Sequence, residues 1–99
     1  MVLMNIITEE KLEKYFGIAD AAIEKIRISI PENSHLHSIA SDFLRMAEDY
    51  ISDAHHFHNI GDSVNAFAAL NYAHGWMDAG ARLGLFDVEN DWKLFTLKE

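Results

Sequence analysis

Three histidines stand within four consecutive positions of the segment DAHHFHNIGD, which runs from Asp53 to Asp62. Imidazole and carboxylate groups are common metal ligands, so the segment suggests a metal site. On a helix, residues three apart share a face and residues two apart do not. His55 and His58 therefore point one way and His56 another, and the three histidines cannot bind one ion together.

A second candidate metal set, Asp49, Asp53 and His56, has spacings of four and three along the same segment. A helix presents such positions on one face, where two carboxylates and an imidazole could converge. The competing interpretation is a solvated charged face, on which Arg45 pairs with Asp49 four residues later. Charged stripes are ordinarily exposed, so the solvated face is favoured and no metal or other cofactor is expected.

A polar stripe within a mostly apolar segment could support a different chemistry. Its residues recur at intervals of three and four, and Tyr72 lies beside them; they are Asn71, His74, Asp78 and Arg82. A carboxylate that orients an imidazole near a guanidinium could bind a small anion or carry out acid-base chemistry. The same groups could instead form a hydrogen-bonded ladder that fixes helix register or a subunit contact. The ladder is favoured, because buried polar groups must find partners.

No serine or threonine within the stripe could act as a nucleophile. We therefore assign no catalytic residue, and the sequence favours a protein that is not an enzyme.

Helices must position these residues, because apolar side chains recur every three or four positions between the few glycines and the single proline. The pattern predicts three helices and an irregular tail, at about 8–30, 34–60, 62–84 and 85–99. Pro31 is expected to end the first helix and Gly61 the second. Thr8 is the expected N-cap of the first helix, Asn33 or Ser34 of the second, and Asp62 or Ser63 of the third.

The third predicted helix is apolar around most of its circumference and rich in alanine and glycine. Gly75 and Gly80 inside it each cost roughly 1 kcal/mol relative to alanine, which tight packing or a ligand must offset. Short connections around Pro31 and Gly61 predict antiparallel neighbours. The expected fold is all-α, an up-down-up antiparallel three-helix bundle in one domain, 1–99. Its tail is expected to pack back on the bundle or into a partner through Trp92, Leu94, Phe95 and Leu97.

The composition limits the partners that the chain is expected to bind. Sixteen acidic residues against eight basic ones give a formal net charge of −8, with no basic run. Such a field repels nucleic acid and anionic membrane surfaces. The chain has no cysteine, no signal-peptide pattern and no apolar run near the roughly 20 residues of a membrane span. We therefore expect a soluble cytoplasmic protein that binds neither nucleic acid nor membrane.

Part of the chain resembles a known family. The resemblance rests on Tyr50, Asp53, Ala54, Phe57, Gly61, Asp62 and above all the run NAFAALNYAHGWMDAGARLGLF, 65–86. It is to an archaeal family catalogued as domain of unknown function 357, whose members are small helical bundles with no assigned activity. The resemblance implies a three-helix bundle and supplies no reaction. The recurring family positions include Asn71, Tyr72, His74, Asp78 and Arg82, whereas those of the three clustered histidines do not recur, which weakens the metal interpretation.

Together these observations predict a non-enzymatic protein-interaction or scaffold module that acts as a homodimer or binds another protein. The alternative is a small anionic-ligand or catalytic pocket on the third helix, formed by His74, Asp78 and Arg82. A weaker alternative is divalent metal binding on the second helix.

Overall fold

A computed structural model describes residues 6–89 and 91. It contains three α-helices, α1 (Glu9–Lys25), α2 (His35–Asn59) and α3 (Ser63–Arg82). Two short strands, β1 (Arg27–Ile28) and β2 (Phe86–Asp87), pair in one small antiparallel ribbon. The helices pack against one another, so the predicted all-α three-helix bundle is confirmed. No helix among these residues is long and apolar enough to cross a membrane.

All three helices begin at a side-chain cap. In each case an oxygen of the cap accepts the backbone N–H of the residue three positions later, at Thr8, Ser34 and Asp62. These bonds satisfy donors that a helix leaves unpaired at its start. The sequence allowed two N-cap residues for α2 and two for α3. The structure has Ser34 at the start of α2 and Asp62 at the start of α3. The backbone N–H and the side-chain amide of Asn65 both donate hydrogen bonds to the Asp62 carboxylate. These bonds, the backbone one having the larger effect, hold the pKa of Asp62 below its ordinary value.

The first helix is shorter than the sequence analysis predicts. It ends at Lys25 and not near residue 30, because Ile26 adopts an extended conformation and β1 follows. The segment IRISI, 26–30, alternates apolar and polar residues, a period typical of a strand. Its partner is far away in sequence, since Ile28 pairs with Phe86 and Ser29 donates through its backbone and hydroxyl to the carbonyls of Leu85 and Gly84.

A tight turn joins α2 to α3. Gly61 has a positive φ of 80°, which glycine adopts without strain, and the Asp62 N–H donates to the Phe57 carbonyl over 2.8 Å. The chain thereby reverses within a few residues and makes α2 and α3 an antiparallel hairpin. The expected role of Gly61 and Asp62 in this turn agrees with the structure. The third helix ends at Arg82, two residues before the predicted end.

Small buried residues at intervals of seven line the contact between α2 and α3. Those on α2 are Ala40, Ala47 and Ala54, and those on α3 are Ala66, Ala73 and Gly80. Because the hairpin turns at Gly61, each residue of one set lies level with one of the other. Short side chains at the contact let the helix axes approach closely. We call this contact the alanine seam; it lies within the most extensive helix-helix contact of the fold.

The seam ends where Phe86 packs against Gly80. A Cβ atom at Gly80 would overlap the Phe86 ring, whereas a Cβ atom at Gly75 would meet no other atom. Packing therefore accounts for Gly80 but not for Gly75. Phe86 and its neighbours Leu85 and Val88 are buried, so the beginning of the tail packs back on the bundle.

The first helix covers one flank of the hairpin. It packs mainly on α3 and touches α2 more sparsely, and its buried residues are Leu12, Phe16, Ala19 and Ala22. The rings of Tyr15 and Phe67 meet edge to face at 5.1 Å. At the other end of α1, Lys25 forms an ion pair with Asp91 at 3.3 Å. The predicted contacts of Trp92, Leu94, Phe95 and Leu97 lie outside the described residues.

The two helical glycines provide a matched test of the packing at the end of the seam. Gly75→Ala should raise the free energy of unfolding by up to about 1 kcal/mol, because the helix gains propensity and no atom is displaced. Gly80→Ala should lower it by about 1–3 kcal/mol, because the methyl group forces Phe86 out of place. Urea denaturation of both variants measures the difference. Equal gains in stability would contradict the contact between Gly80 and Phe86.

Candidate functional site

Two of the clustered histidines join α2 to α1. The His55 ring stacks on Phe16 at a centroid distance of 4.5 Å, and the His58 ring lies 5.4 Å from Phe16. Nε2 of His58 is 2.7 Å from Oε1 of Glu9, and Nε2 of His55 is 4.0 Å from Oδ1 of Asp20. These two histidines are therefore interhelical contacts, although the His55 side chain is also exposed to solvent. The only sequence signal was their shared face, since nothing local indicates that α1 lies opposite it.

The weaker metal candidate remains on the solvated side of α2. Asp49, Asp53 and His56 are all exposed. The predicted pair of Arg45 with Asp49 does not form. Nη2 of Arg45 lies 2.6 Å from Oδ1 of Asp42, three residues earlier on the helix, and pairs with that carboxylate. Within residues 6–89 and 91, no group of three or more His, Asp or Glu side chains could hold a metal ion.

The polar stripe of α3 borders a groove between α1 and α3. Nε2 of His74 lies 3.5 Å from Oδ1 of Asp78, and the two side chains are only 26% and 22% exposed. The groove has a volume of about 250 Å³ and is lined by Tyr15, Ile18, Ala19, Leu70, Asn71, His74, Gly75 and Asp78. We call it the α1–α3 groove. At this distance a protonated imidazole and a carboxylate attract one another, which helps to orient both side chains.

The structure does not bring all five predicted site residues together. Tyr72 lies on the other flank of α3, where its ring meets Tyr50 edge to face at 4.5 Å. Asn71 borders the grooves on both flanks. Arg82 is exposed in the last turn of α3, one turn beyond Asp78. His74 and Asp78 are thus the pair that the α1–α3 groove unites.

The flank of the hairpin away from α1 carries large apolar side chains at regular intervals. On α2 they recur every seven residues, and on α3 they lie across from them; the set is Leu36, Phe43, Tyr50, Phe57, Tyr72, Trp76 and Leu83. Leu36, Tyr72 and Leu83 are 51%, 57% and 68% exposed, and the others are partly buried. The rings of Phe43 and Trp76 meet at 5.0 Å. We call this surface the open face.

A second groove indents the open face near the turn. Its volume is about 520 Å³, and its lining residues are Tyr50, Asp53, Phe57, Asn65, Ala68, Ala69, Asn71 and Tyr72. We call it the α2–α3 groove. Leu36, Phe43, Tyr50 and Phe57 were not recognised as this surface from the sequence, because nothing local shows that α1 packs on the other flank of the hairpin. Their seven-residue spacing was the signal that could have identified a helix-docking surface.

Comparison with known proteins adds a family match. A family model described as protein of unknown function (DUF357) matches residues 14–86, a span that includes most of α1 and all of α2 and α3. No curated protein matches the chain, and no solved structure does.

The contact between His55 and Phe16 can be tested against a histidine that lies beside it. His55→Ala should lower the free energy of unfolding by about 1 kcal/mol more than His56→Ala, because only His55 stacks on a ring of α1. Both substitutions gain similar helix propensity, so their difference isolates the contact. In a domain of this size the melting temperatures should differ by about 4–8 °C, which calorimetry resolves. Equal melting temperatures would show that the stack contributes nothing.

A double-mutant cycle measures the pair in the α1–α3 groove. His74→Ala, Asp78→Ala and the double variant should give a coupling of about 0.5 kcal/mol, as expected for an i,i+4 pair that is still partly hydrated. Chemical denaturation at one pH supplies all three values. A coupling several times larger would show that the two side chains belong to a tighter polar network than their separation indicates.

Proposed function

The chain belongs to the DUF357 family of proteins of unknown function, and we propose that it is a non-enzymatic interaction module that pairs with a second copy of itself through the open face. The observation that carries the proposal is the seven-residue spacing of large, partly exposed apolar side chains on α2, from Leu36 to Phe57. The proposal also places the module in the cytoplasm, with which a cysteine-free composition is compatible.

The first support is the apolar character of the open face. Single exposed apolar residues are common on protein surfaces, but contiguous ones mark interaction sites. Leu36, Tyr72 and Leu83 are each more than half exposed and adjoin partly exposed aromatic rings. Aromatic side chains are enriched in protein interfaces, where they contribute much area for little lost conformational entropy.

The second support is the geometry of the spacing. Apolar residues at intervals of seven form a straight seam along one side of a helix, and such a seam receives the side chains of another helix. Two copies of the α2–α3 hairpin, related by a two-fold axis, would build a four-helix arrangement from their open faces. A self-complementary surface is the simplest partner, because it requires no second protein to carry the matching pattern.

The third support is the available area. The open face extends over 22 residues of α2, from Leu36 to Phe57, a length of about 30 Å, and across two helices of about 10 Å each. The resulting area is about 600 Å² per copy, or about 1,200 Å² in total, which reaches the lower bound of stable specific interfaces. The seven side chains of this face are uncharged, so a dimer would leave most of the acidic surface in water.

The alternative of an anionic-ligand pocket has weaker support. Tyr72 is on the opposite flank of α3 from His74, and Arg82 is exposed, so this arrangement gives a single five-residue site less support than it gives the open face. The carboxylate of Asp78 borders the same α1–α3 groove and disfavours an anion there.

Sedimentation equilibrium tests the proposed dimer. The wild-type chain should be a dimer, and Tyr72→Glu should weaken it at least about tenfold, because the change places a charge inside an apolar interface. Ile6→Glu is the matched control, since Ile6 is 55% exposed but lies outside the open face. It should leave the dimer unchanged. Circular dichroism should show full helicity in both variants, because both positions are exposed in one copy.

The salt dependence of the same measurement gives an independent criterion. Each copy carries a formal net charge of −8, so screening should strengthen the dimer as sodium chloride rises. A wild-type chain that stays monomeric at all concentrations and salt levels would refute the proposal.

A further inference from the structure

We infer that the two copies pair in an antiparallel register, in which Leu36 and Leu83 of one copy fill the α2–α3 groove of the other. This inference rests on the proposed homodimer and specifies its interface. The arrangement is reciprocal, because each copy carries both the protruding leucines and the groove on one face.

The protruding element lies at one end of the open face. Leu83, at 68% exposure, and Leu36, at 51%, are large apolar residues at the end of the hairpin far from its turn. Because the hairpin reverses at Gly61, the two leucines lie at about the same level, as do Phe43 and Trp76, whose rings are in contact. The leucines therefore form one apolar projection, which we call the leucine end.

The receiving element lies at the other end of the same face. The walls of the α2–α3 groove are the rings of Tyr50, Phe57 and Tyr72, and Ala68 and Ala69 line it with short side chains. Its volume of about 520 Å³ is within the range of pockets that bury a whole small ligand, so it can accept more than one leucine side chain. Polar groups at its border, on Asp53, Asn65 and Asn71, suit the hydrated rim of an interface.

The positions of the two elements select the register. Leu36 and Asp53 are 17 residues apart on α2, about 25 Å along the helix, and Phe43 lies close to the midpoint. On α3, Trp76 lies midway between Ala68 and Leu83. A two-fold axis that passes near Phe43 and Trp76 would therefore exchange the leucine end with the groove, which gives the same contact twice.

The opposite register is less favourable. A parallel pairing places the leucine end of one copy against the leucine end of the other and leaves both grooves unfilled, so it buries less apolar surface.

The absence of cysteine makes the register testable by site-specific crosslinking of the full chain. Ala68→Cys and Leu83→Cys each introduce one thiol at an exposed position, and Ala21→Cys provides an exposed thiol on α1 as a control. Each variant is first checked for helicity and for dimer formation by sedimentation. The variants are then treated, singly and as equal mixtures, with a short bifunctional thiol reagent.

The antiparallel register predicts crosslinking in the mixture of Ala68→Cys with Leu83→Cys, several-fold above either variant alone and above mixtures that contain Ala21→Cys. Crosslinking of Leu83→Cys to itself would demonstrate the parallel register and overturn the inference. A dimer without crosslinks at these positions would also overturn the register but would leave the proposed function intact. A wild-type chain that sediments as a monomer would refute the proposed function itself.

Discussion

The close approach of α2 and α3 at the alanine seam is the constraint on which the rest of the fold depends. Methyl groups and one glycine at intervals of seven fill this contact, so little side-chain volume separates the two helices. The larger apolar residues must then lie on the two flanks of the hairpin. A small domain buries only a limited fraction of its surface, so the two flanks need not be covered equally. Among the described residues, α1 packs on one flank and the other flank is the open face.

The position of α1 follows from contacts at its two ends. Near its beginning, His58 reaches Glu9 and His55 stacks on Phe16. Beyond its end, the β1–β2 ribbon ties the connection after α1 to the segment after α3, and Lys25 pairs with Asp91. Since α1 packs mainly on α3 and touches α2 only sparsely, these end contacts add to the packing on α3 in holding α1 on that flank. They also explain why two histidines that resemble metal ligands serve as packing groups.

The distribution of polar and apolar groups gives the proposed association more support than a reaction at α3. His74 and Asp78 provide the one imidazole-carboxylate pair within α3, and they border a groove that is half the volume of the groove on the open face. The larger groove is lined by aromatic rings and short side chains, with Asp53, Asn65 and Asn71 beside them. These surroundings suit the helical partner that we propose.

The sequence by itself determined the local structure and the periodicity. Thr8 and Ser34 begin helices, and Gly61 with Asp62 makes a turn, because these residues act through neighbours within a few positions. The seven-residue intervals on α2 likewise follow from the order of residues alone. The division into three helices was therefore predictable, and so was the bundle.

Only the tertiary structure decided what each helical face meets. Residues 27–28 became a strand because residues 86–87, far along the chain, offered them a partner. His55 and His58 became interhelical contacts because α1 lies opposite them. Tyr72 and His74 face different grooves because different elements flank α3 on its two sides. Periodicity shows which residues share a face, but it cannot show which face a distant element will cover, because that choice depends on contacts between segments separated by long stretches of chain.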